Sequence, residues 1–520
     1  MGARDALDTL ANHLDDLDTR LRNRDDQIAM LAQRVTRTEE SIVKLADTVA
    51  KLSRNANPTS PEPPEPGTPP PPPPPSPSDY LAHAYYGNPV AFEGAMGYGA
   101  NATGGRGNGT SGSTAIMFVD NLNDTGSGSL RAALEATGKR VVVPRVAGII
   151  TVNDAITIAG DVTYLGMLAP GGGLAVRPTL PHTRNAVVRT SAENLILRYL
   201  RARAGDGDGS NQNAFRFTGG ARNAIADHCS FSWGSDQVMA MFGDVQNVTL
   251  QNSIVAEAFR PAEQGLLIGD YRTRHISLIY NLMTTGKERY PYWRNGPMND
   301  MYGNYIYNGR QGMYFVVGSN TPDQANAPTL NARRNTWRDG PFTSGEVAIL
   351  IRNQASNPAL RGKLYLEGNE YIDRNMPQNI ADPQWESARV LGGTAYSGTL
   401  DEWRLTSPLD TPSVIERTAA EARAYVLANA GHNLPRDTAD ARFVSEVTSG
   451  TGPSVSPSTV ASVGGYPSLA SGSYPAAADG VIADAWRSAN SESREWYELT
   501  STGRMVVEDY ADDIAQGRYP

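Results

Sequence analysis

Two arginines stand five residues apart, Arg289 and Arg294, in the stretch Lys287 to Gly296, KERYPYWRNG. Lys287 adds another cation, and Tyr290, Tyr292 and Trp293 add ring faces. A guanidinium grips a carboxylate through parallel N–H donors, a geometry that lysine does not offer. Aromatic rings beside it suit a ligand with flat apolar faces and polar edges. An acidic sugar has both features. A cluster of surface ion pairs is the plainer reading of the same residues. The chain has a formal net charge of −9, so concentrated cationic surface runs against its overall character.

The elements that must hold such a site follow from the rest of the chain. With 520 residues, 40% of them hydrophobic and 19% charged, the chain can bury a sizeable core. Its 51 glycines and 35 prolines favour many turns. The acidic balance speaks against nucleic acid, which needs a basic face. Cys229 is the single cysteine, so no intrachain disulfide is expected. No apolar run approaches the roughly 18 residues of a membrane span. The opening MGARDALDTLANHLDDL has no apolar signal-peptide core. An extracellular role would then need another route, such as release within a particle.

Residues 1–54 read as a coiled-coil stem. Leu7, Leu14, Leu21, Ile28, Val35, Ile42 and Val49 recur every seven residues, and Leu10, Leu17, Leu31, Leu45 and Leu52 fill the offset of three. Arg24 and Thr38 interrupt the second series, and the mixed seams leave dimer and trimer both open. Residues 55–80 follow as a proline-rich linker, unbroken proline from Pro69 to Pro75. Proline fixes φ and removes the donor, so a polyproline II spacer is expected.

From 81 to 410 the texture is all-β. Similar short stretches begin at Asn194, Asn223, Asn247, His275, Met298 and Lys363. Aligning them puts His228, Asn252, Asn281, Asn304 and Asn369 at one point, with steps of 24, 29, 23 and 65 residues. The last step holds two rungs, with Asn335 in the middle one. Irregular periods of this size predict a right-handed parallel β-helix, with a ladder of turn asparagines from coil to coil. Residues 411–520 read as a helical and loop segment packed along the solenoid, with one helix ending near Gly431, the next starting near Asp437, and another over VIADAWRSANSESREWYEL.

At this point the chain resembles the bacterial pectate lyase family of polysaccharide lyases. The resemblance rests on the glycine-rich entry AFEGAMGYGANATGGRG, the run NLNDTGSGSLRAAL, RNAIADHCSFSWGSDQ, and Arg289-Tyr-Pro291-Tyr-Trp-Arg294-Asn-Gly itself. The helical stretch SVIERTAAEARAYVLANAG with RDTADARFVSEVTSGTG matches the family's C-terminal part, and the likeness spans roughly 90 to 490. It implies β-elimination on a uronate polymer. A base removes the proton on carbon 5, next to the carboxylate, and the oxygen on carbon 4 departs. Calcium and basic side chains share the neutralisation of that carboxylate. The resemblance makes Arg289 the base and Arg294 the carboxylate holder, with Lys287, Tyr290, Tyr292 and Trp293 meeting the sugar. It makes Asp236 the leading calcium ligand, joined by Asp206 and Asp208.

The chain departs from the family at Gln237 and near Asn213, where carboxylates are common, and at Gln264, where a substrate-binding lysine is common. Amides keep the oxygens and lose the charge, so calcium should bind more weakly or not at all. Asp227 and His228 make a tempting acid–base pair, but they lie in the rung ladder and read as structural. Two functions stand: a lyase acting on an acidic polysaccharide, and a non-catalytic carbohydrate-binding fibre. A β-helix behind an oligomerising stem resembles a phage tail fibre or spike. The expectation is therefore a trimer attached to a virion tail or another extracellular surface through its N-terminus.

Overall fold

The computed structural model describes residues 89–180, 185–207, 212–343, 346–376, 382–391 and 399–519. The coiled-coil stem and the proline linker lie outside the described residues. Three sheets of ten, nine and nine strands run through the described part, and every strand pairing within them is parallel. The chain visits the sheets in rotation. Strand Arg222–Asp227 lies in the first sheet, Ser230–Ser232 in the second and Gln237–Phe242 in the third. The next coil repeats the order with Gln246–Gln251, Ile254–Ala256 and Gln264–Asp270. This is the right-handed parallel β-helix that the irregular repeat predicts.

Each residue of one coil stacks on its counterpart in the next, so side chains form columns. Phe217, Met241, Ile268, Trp293, Phe315 and Ile351 make one inward column of the third sheet, all fully buried. Because side chains alternate along a strand, the neighbours on either side of these residues face outward.

Two polar ladders pin the register. Asn281, Asn304 and Asn335 each donate a backbone N–H, at 2.9 Å, to the side-chain oxygen of the asparagine one coil on, ending at Asn369. Their Nδ2 groups donate to the carbonyls of Leu250, Leu278 and Met301. Asn335 is the middle rung of the long step. The alignment of His228 and Asn252 with this column is off by one residue. Both hold the left-handed position just before it, at φ 50° and 48°. Cys229 and Ser253 take the ladder place, and Ser253 Oγ accepts from the Cys229 N–H at 3.0 Å. The tight turn needs a left-handed residue followed by a side-chain acceptor, and two polar residues in a row hide which is which. The starting residues Asn194, Asn223, Asn247 and His275 form the second ladder, with His275 Nδ1 and Asn247 Oδ1 3.0 Å apart.

Two of the three outer faces are covered. Residues 96–99 lie on the first sheet, where Gly99 N donates to Thr249 Oγ1 and Tyr98 N to Ser277 Oγ. Helices Ala419–Asn429 and Thr438–Ser449 cover the second sheet. Arg203 reaches from that sheet to Asp437 and Asp440. These guanidinium–carboxylate contacts are fully buried, so removing either partner strands a charge. The stretch around 481–499 is helical only over Asp484–Asn490 and stops at Ser491 in the left-handed region. A further helix, Val506–Ala515, packs Val506, Val507, Tyr510 and Ala511 against Val141, Leu165 and Tyr199. Its apolar residues at helical spacing were readable in the sequence. The outer face of the third sheet is covered at one end, where Val347 and Leu391 pack with Tyr314, Val316 and Leu350, and is half-open around Arg216, Tyr292 and Arg294.

Asp300, on the first sheet, is fully buried. Burial lifts its carboxyl to about 7, which Arg333 at 3.8 Å and Thr411 offset only in part. An unfolded aspartate titrates near 3.9. Between these values the native state keeps a proton that the unfolded chain has released, so this group erodes stability as pH rises from about 4 to about 7. Asp300→Asn should melt like the unaltered protein near pH 4 and at a higher temperature by pH 8. Thermal melts across that range check it, and parallel curves would contradict the assignment.

Candidate active site

Outward residues of the third sheet form a column running Arg189, Arg216, Ala240, Leu267, Tyr292, Tyr314, Leu350 and Arg389. Arg294 and Arg352 face out two residues along their strands. Arg189, Arg352 and Arg389 are exposed, and Arg216, Tyr292 and Arg294 are half-buried. An acidic protein thus gathers guanidinium groups and Tyr292 on the half-open part of this face, while Tyr314 and Leu350 are buried. The Tyr292 and Tyr314 rings lie 5.2 Å apart at 31°.

The segment before strand Tyr292–Asn295 is held from several sides. Gly265 N and Leu266 N donate to the carbonyls of Glu288 and Arg289, at 3.0 and 2.7 Å. Tyr290 is fully buried, and its hydroxyl donates to the Thr285 carbonyl at 2.7 Å. Its ring fills the space left by Gly265 and Gly286; a Cβ on Gly265 would stand 2.8 Å from Tyr290 Cζ. Arg289 itself sits at φ 70°, a strained position for a residue with a side chain, which the packed tyrosine after it helps to hold. Its guanidinium lies 5.3 Å from the centre of the Tyr292 ring. Its Nε, although buried, has no hydrogen-bond partner among the described residues.

Of the sequence-predicted site residues, Arg289, Tyr292 and Arg294 come together on this face. Lys287 is exposed at its edge. Arg294 Nη2 donates to Ser319 Oγ at 2.6 Å. Tyr290 and Trp293 do not meet a ligand: both belong to the core, because strand alternation turns Trp293 inward and the glycines receive Tyr290. Gln264 joins a row of polar side chains at the edge of the sheet. Asn213 Nδ2 donates to Gln237 Oε1 at 3.2 Å, Gln237 Nε2 to Gln264 Oε1 at 2.9 Å, and Gln264 Nε2 to Glu288 Oε1 at 2.7 Å. Arg216, Tyr314, Arg352 and Glu288 were not singled out in the sequence. Their signal lies in coil-to-coil register, not in any local motif.

Asp236 accepts from Gln237 Nε2 at 2.5 Å. Burial lifts its carboxyl above the ordinary range, against the opposing pull of Arg289 and Arg216. Asp206 accepts from the backbone N–H of Val460 at 2.5 Å, and Asp208 lies outside the described residues. Calcium asks for six to eight oxygens, several of them carboxylate. Among the described residues no group of three acidic, histidine or cysteine side chains comes together. Among the described residues the acidic candidates are Asp236 and Asp206, each accepting from a nitrogen donor, and that pair alone does not make a calcium shell.

Asp227 and His228 lie elsewhere, beside a cavity of about 140 Å³ lined also by Arg198, Gln251 and Arg417. Asp227 accepts from Arg198, Gln251 and Asn252. Although burial opposes it, His228 and Arg198 hold its carboxyl well below the usual range. Arg198 continues to Asp512 at 2.5 Å, tying the last helix to the solenoid. The His228 ring stacks on Tyr199 with centroids 4.9 Å apart. Every partner in this network is structural.

The half-open part of the third-sheet face, with Arg216, Arg289 and Arg294 beside Tyr292, is the candidate active site of this parallel β-helix. No family model matches the chain. Curated relatives do: a "probable pectate lyase C" of Aspergillus fumigatus is 33% identical over 436 residues, covering 83% of this chain and 95% of the relative. Its Aspergillus flavus counterpart is 32% identical over 435 residues, with the same coverage. Among solved structures, the cedar pollen allergen jun a 1 aligns at TM-score 0.44 and 15% identity, over 65% of this chain and 92% of its own. Pectate lyase C of Erwinia chrysanthemi, solved with calcium, aligns at 0.42 and 14%, over 66% and 99%. The chain belongs to the pectate lyase family.

The two neighbouring rings should separate in a stability measurement. Trp293→Ala empties a filled column and should cost about 3–5 kcal/mol. Tyr292→Ala removes an outward ring and should cost far less. Denaturant melts of both variants check this; equal losses would mean that Tyr292 is part of the packing.

Proposed function

We propose that this chain cleaves a uronate-containing acidic polysaccharide by β-elimination on the outer face of its third sheet. The observation that supports it best is Arg289, a guanidinium with an unpartnered Nε, held at a strained backbone position beside Tyr292 on the half-open part of this face. Family membership supplies the reaction type, and the arginine-rich column suits a polymer carrying one carboxylate per sugar.

In this reading Arg294 and its neighbours neutralise the substrate carboxylate, which makes the proton on carbon 5 more acidic. Arg289 takes that proton. The electron pair forms the double bond between carbons 4 and 5, and the bond from carbon 4 to the leaving oxygen breaks. That oxygen leaves as the new chain end and takes a proton from solvent. Tyr292 offers a ring face along the track, backed by the buried Tyr314. A free guanidinium has a pKa above about 12, so an arginine base is scarce in its neutral form and the rate should climb with pH. The heptads at the N-terminus suit a stem that gathers several solenoids, raising avidity for a polymer surface.

Incubation with polygalacturonate, alginate and bacterial exopolysaccharide, followed by the ultraviolet absorbance of the unsaturated product, tests the reading. Absorbance should rise faster at alkaline pH and vanish in Arg289→Ala, with polymer binding retained. Tyr292→Ala should bind the polymer more weakly. Binding without product on every polymer would leave a carbohydrate-binding surface and overturn the lyase. For the stem, sedimentation of the full chain beside residues 81–520 should show a multiple mass only for the full chain.

A further inference from the structure

In the lyase reading the substrate carboxylate must meet positive charge, and a bound divalent cation is one way to supply it. The residues at this site point to another. Asn213, Gln237, Gln264 and Glu288 occupy equivalent places on successive coils, each amide hydrogen-bonded to the next. The row is directional. Gln237 Oε1 and Gln264 Oε1 already accept from the coil before, and the Nε2 groups of Gln237 and Gln264 point their hydrogens at Asp236 and Glu288. Lone pairs remain, since each amide oxygen has two and Asn213 Oδ1 has no hydrogen-bond partner among the described residues, but a cation would gain only neutral amide oxygens from the row.

Charge argues the same way. Arg216 shares a strand with Asn213, and Arg289 directly follows Glu288, so the first and last coils of the row each carry a guanidinium. Each of these guanidinium groups has a buried Nε without a hydrogen-bond partner among the described residues. A divalent ion on the row would face this positive potential, which the local dielectric screens less than water does. The same potential is available to a substrate carboxylate with no ion present.

We infer that the site holds no resident calcium, and that Arg216, on the outward column of the third sheet and acting with Arg289, supplies the positive charge that binds the substrate carboxylate, while the amide row Asn213–Gln237–Gln264 fills the place where a cation would need carboxylates. The inference rests on the lyase reading for its substrate, and on the side chains alone for the metal. Arg216 is then a substrate-binding residue that no local motif announces.

Calorimetric titration of the full chain with calcium chloride, and melting with and without it, decide the metal. No heat and no shift are expected up to about 1 mM, the weak end of protein calcium sites. Saturable binding below that level would overturn the inference whether or not the protein proves to be a lyase. As a positive control, Asn213→Asp with Gln237→Glu and Gln264→Glu puts carboxylates on consecutive coils and should gain a calcium-dependent rise in melting temperature. In the ultraviolet assay the rate should be the same in chelator and in calcium; loss of activity in chelator overturns the inference and leaves the lyase standing. Arg216→Gln should bind polygalacturonate about tenfold to a hundredfold more weakly, the worth of a charge-assisted hydrogen bond, with melting temperature unchanged and no rescue by calcium. Unweakened binding would remove Arg216 from the site. Absence of product under every condition would remove the lyase, while the titration still decides the metal.

Discussion

Coil-on-coil stacking in register governs this protein. In a parallel solenoid every residue has its counterpart about 4.8 Å above and below, so one slip of a single residue would turn a whole inward column outward. The buried asparagine ladder resists that slip. Each rung uses an acceptor on one coil and a donor on the next, and the Nδ2 group reaches a carbonyl that the turn would otherwise leave unsatisfied. Fixing the register also fixes what faces solvent. The arginine and tyrosine column and the amide row are both products of it.

The distribution of cover over the three faces explains where chemistry can occur. The N-terminal loop and the last helix lie on the first sheet, the helix tied by Arg198 to Asp512, and helices Ala419–Asn429 and Thr438–Ser449 lie on the second, locked by the ion pairs of Arg201 and Arg203. Those arginines are spent on folding: their charges are buried and matched. The arginines of the third sheet differ. Arg216, Arg289 and Arg294 keep unpartnered Nε groups beside partly exposed side chains. One residue type thus serves two purposes in the same solenoid, and the cover of each face determines which.

The opening motif divides along the same line. In YPYWR, alternation sends Tyr292 and Arg294 out and Trp293 in, while Tyr290 drops into the space beside Gly265 and Gly286. The rings that looked equivalent as a cluster do different work, two holding the segment and one facing the ligand. The strained Arg289 depends on that anchoring. Its φ of 70° persists because the residues on both sides are fixed, by backbone hydrogen bonds from Gly265 and Leu266 and by the buried tyrosine.

Much was legible in the chain itself. The coil starts at Asn194, Asn223, Asn247 and His275, and the hidden rung at Asn335, follow from spacing, because each coil must repeat its turn chemistry to pair with its neighbour. The family motif around Arg289 and Arg294 was legible because it is local. Three things were not. The one-residue offset of His228 and Asn252 needed the backbone, since either of two adjacent polar residues can fill an acceptor site. The split between Tyr292 and Trp293 needed the strand register. The joining of Asn213 to Gln264 through Gln237, and the place of Arg216 in one column with Tyr292, needed the coils to stack. Composition and local motifs determine what a residue can do. Which residues stand beside one another across 24 or more positions of chain is decided only when the solenoid closes its register.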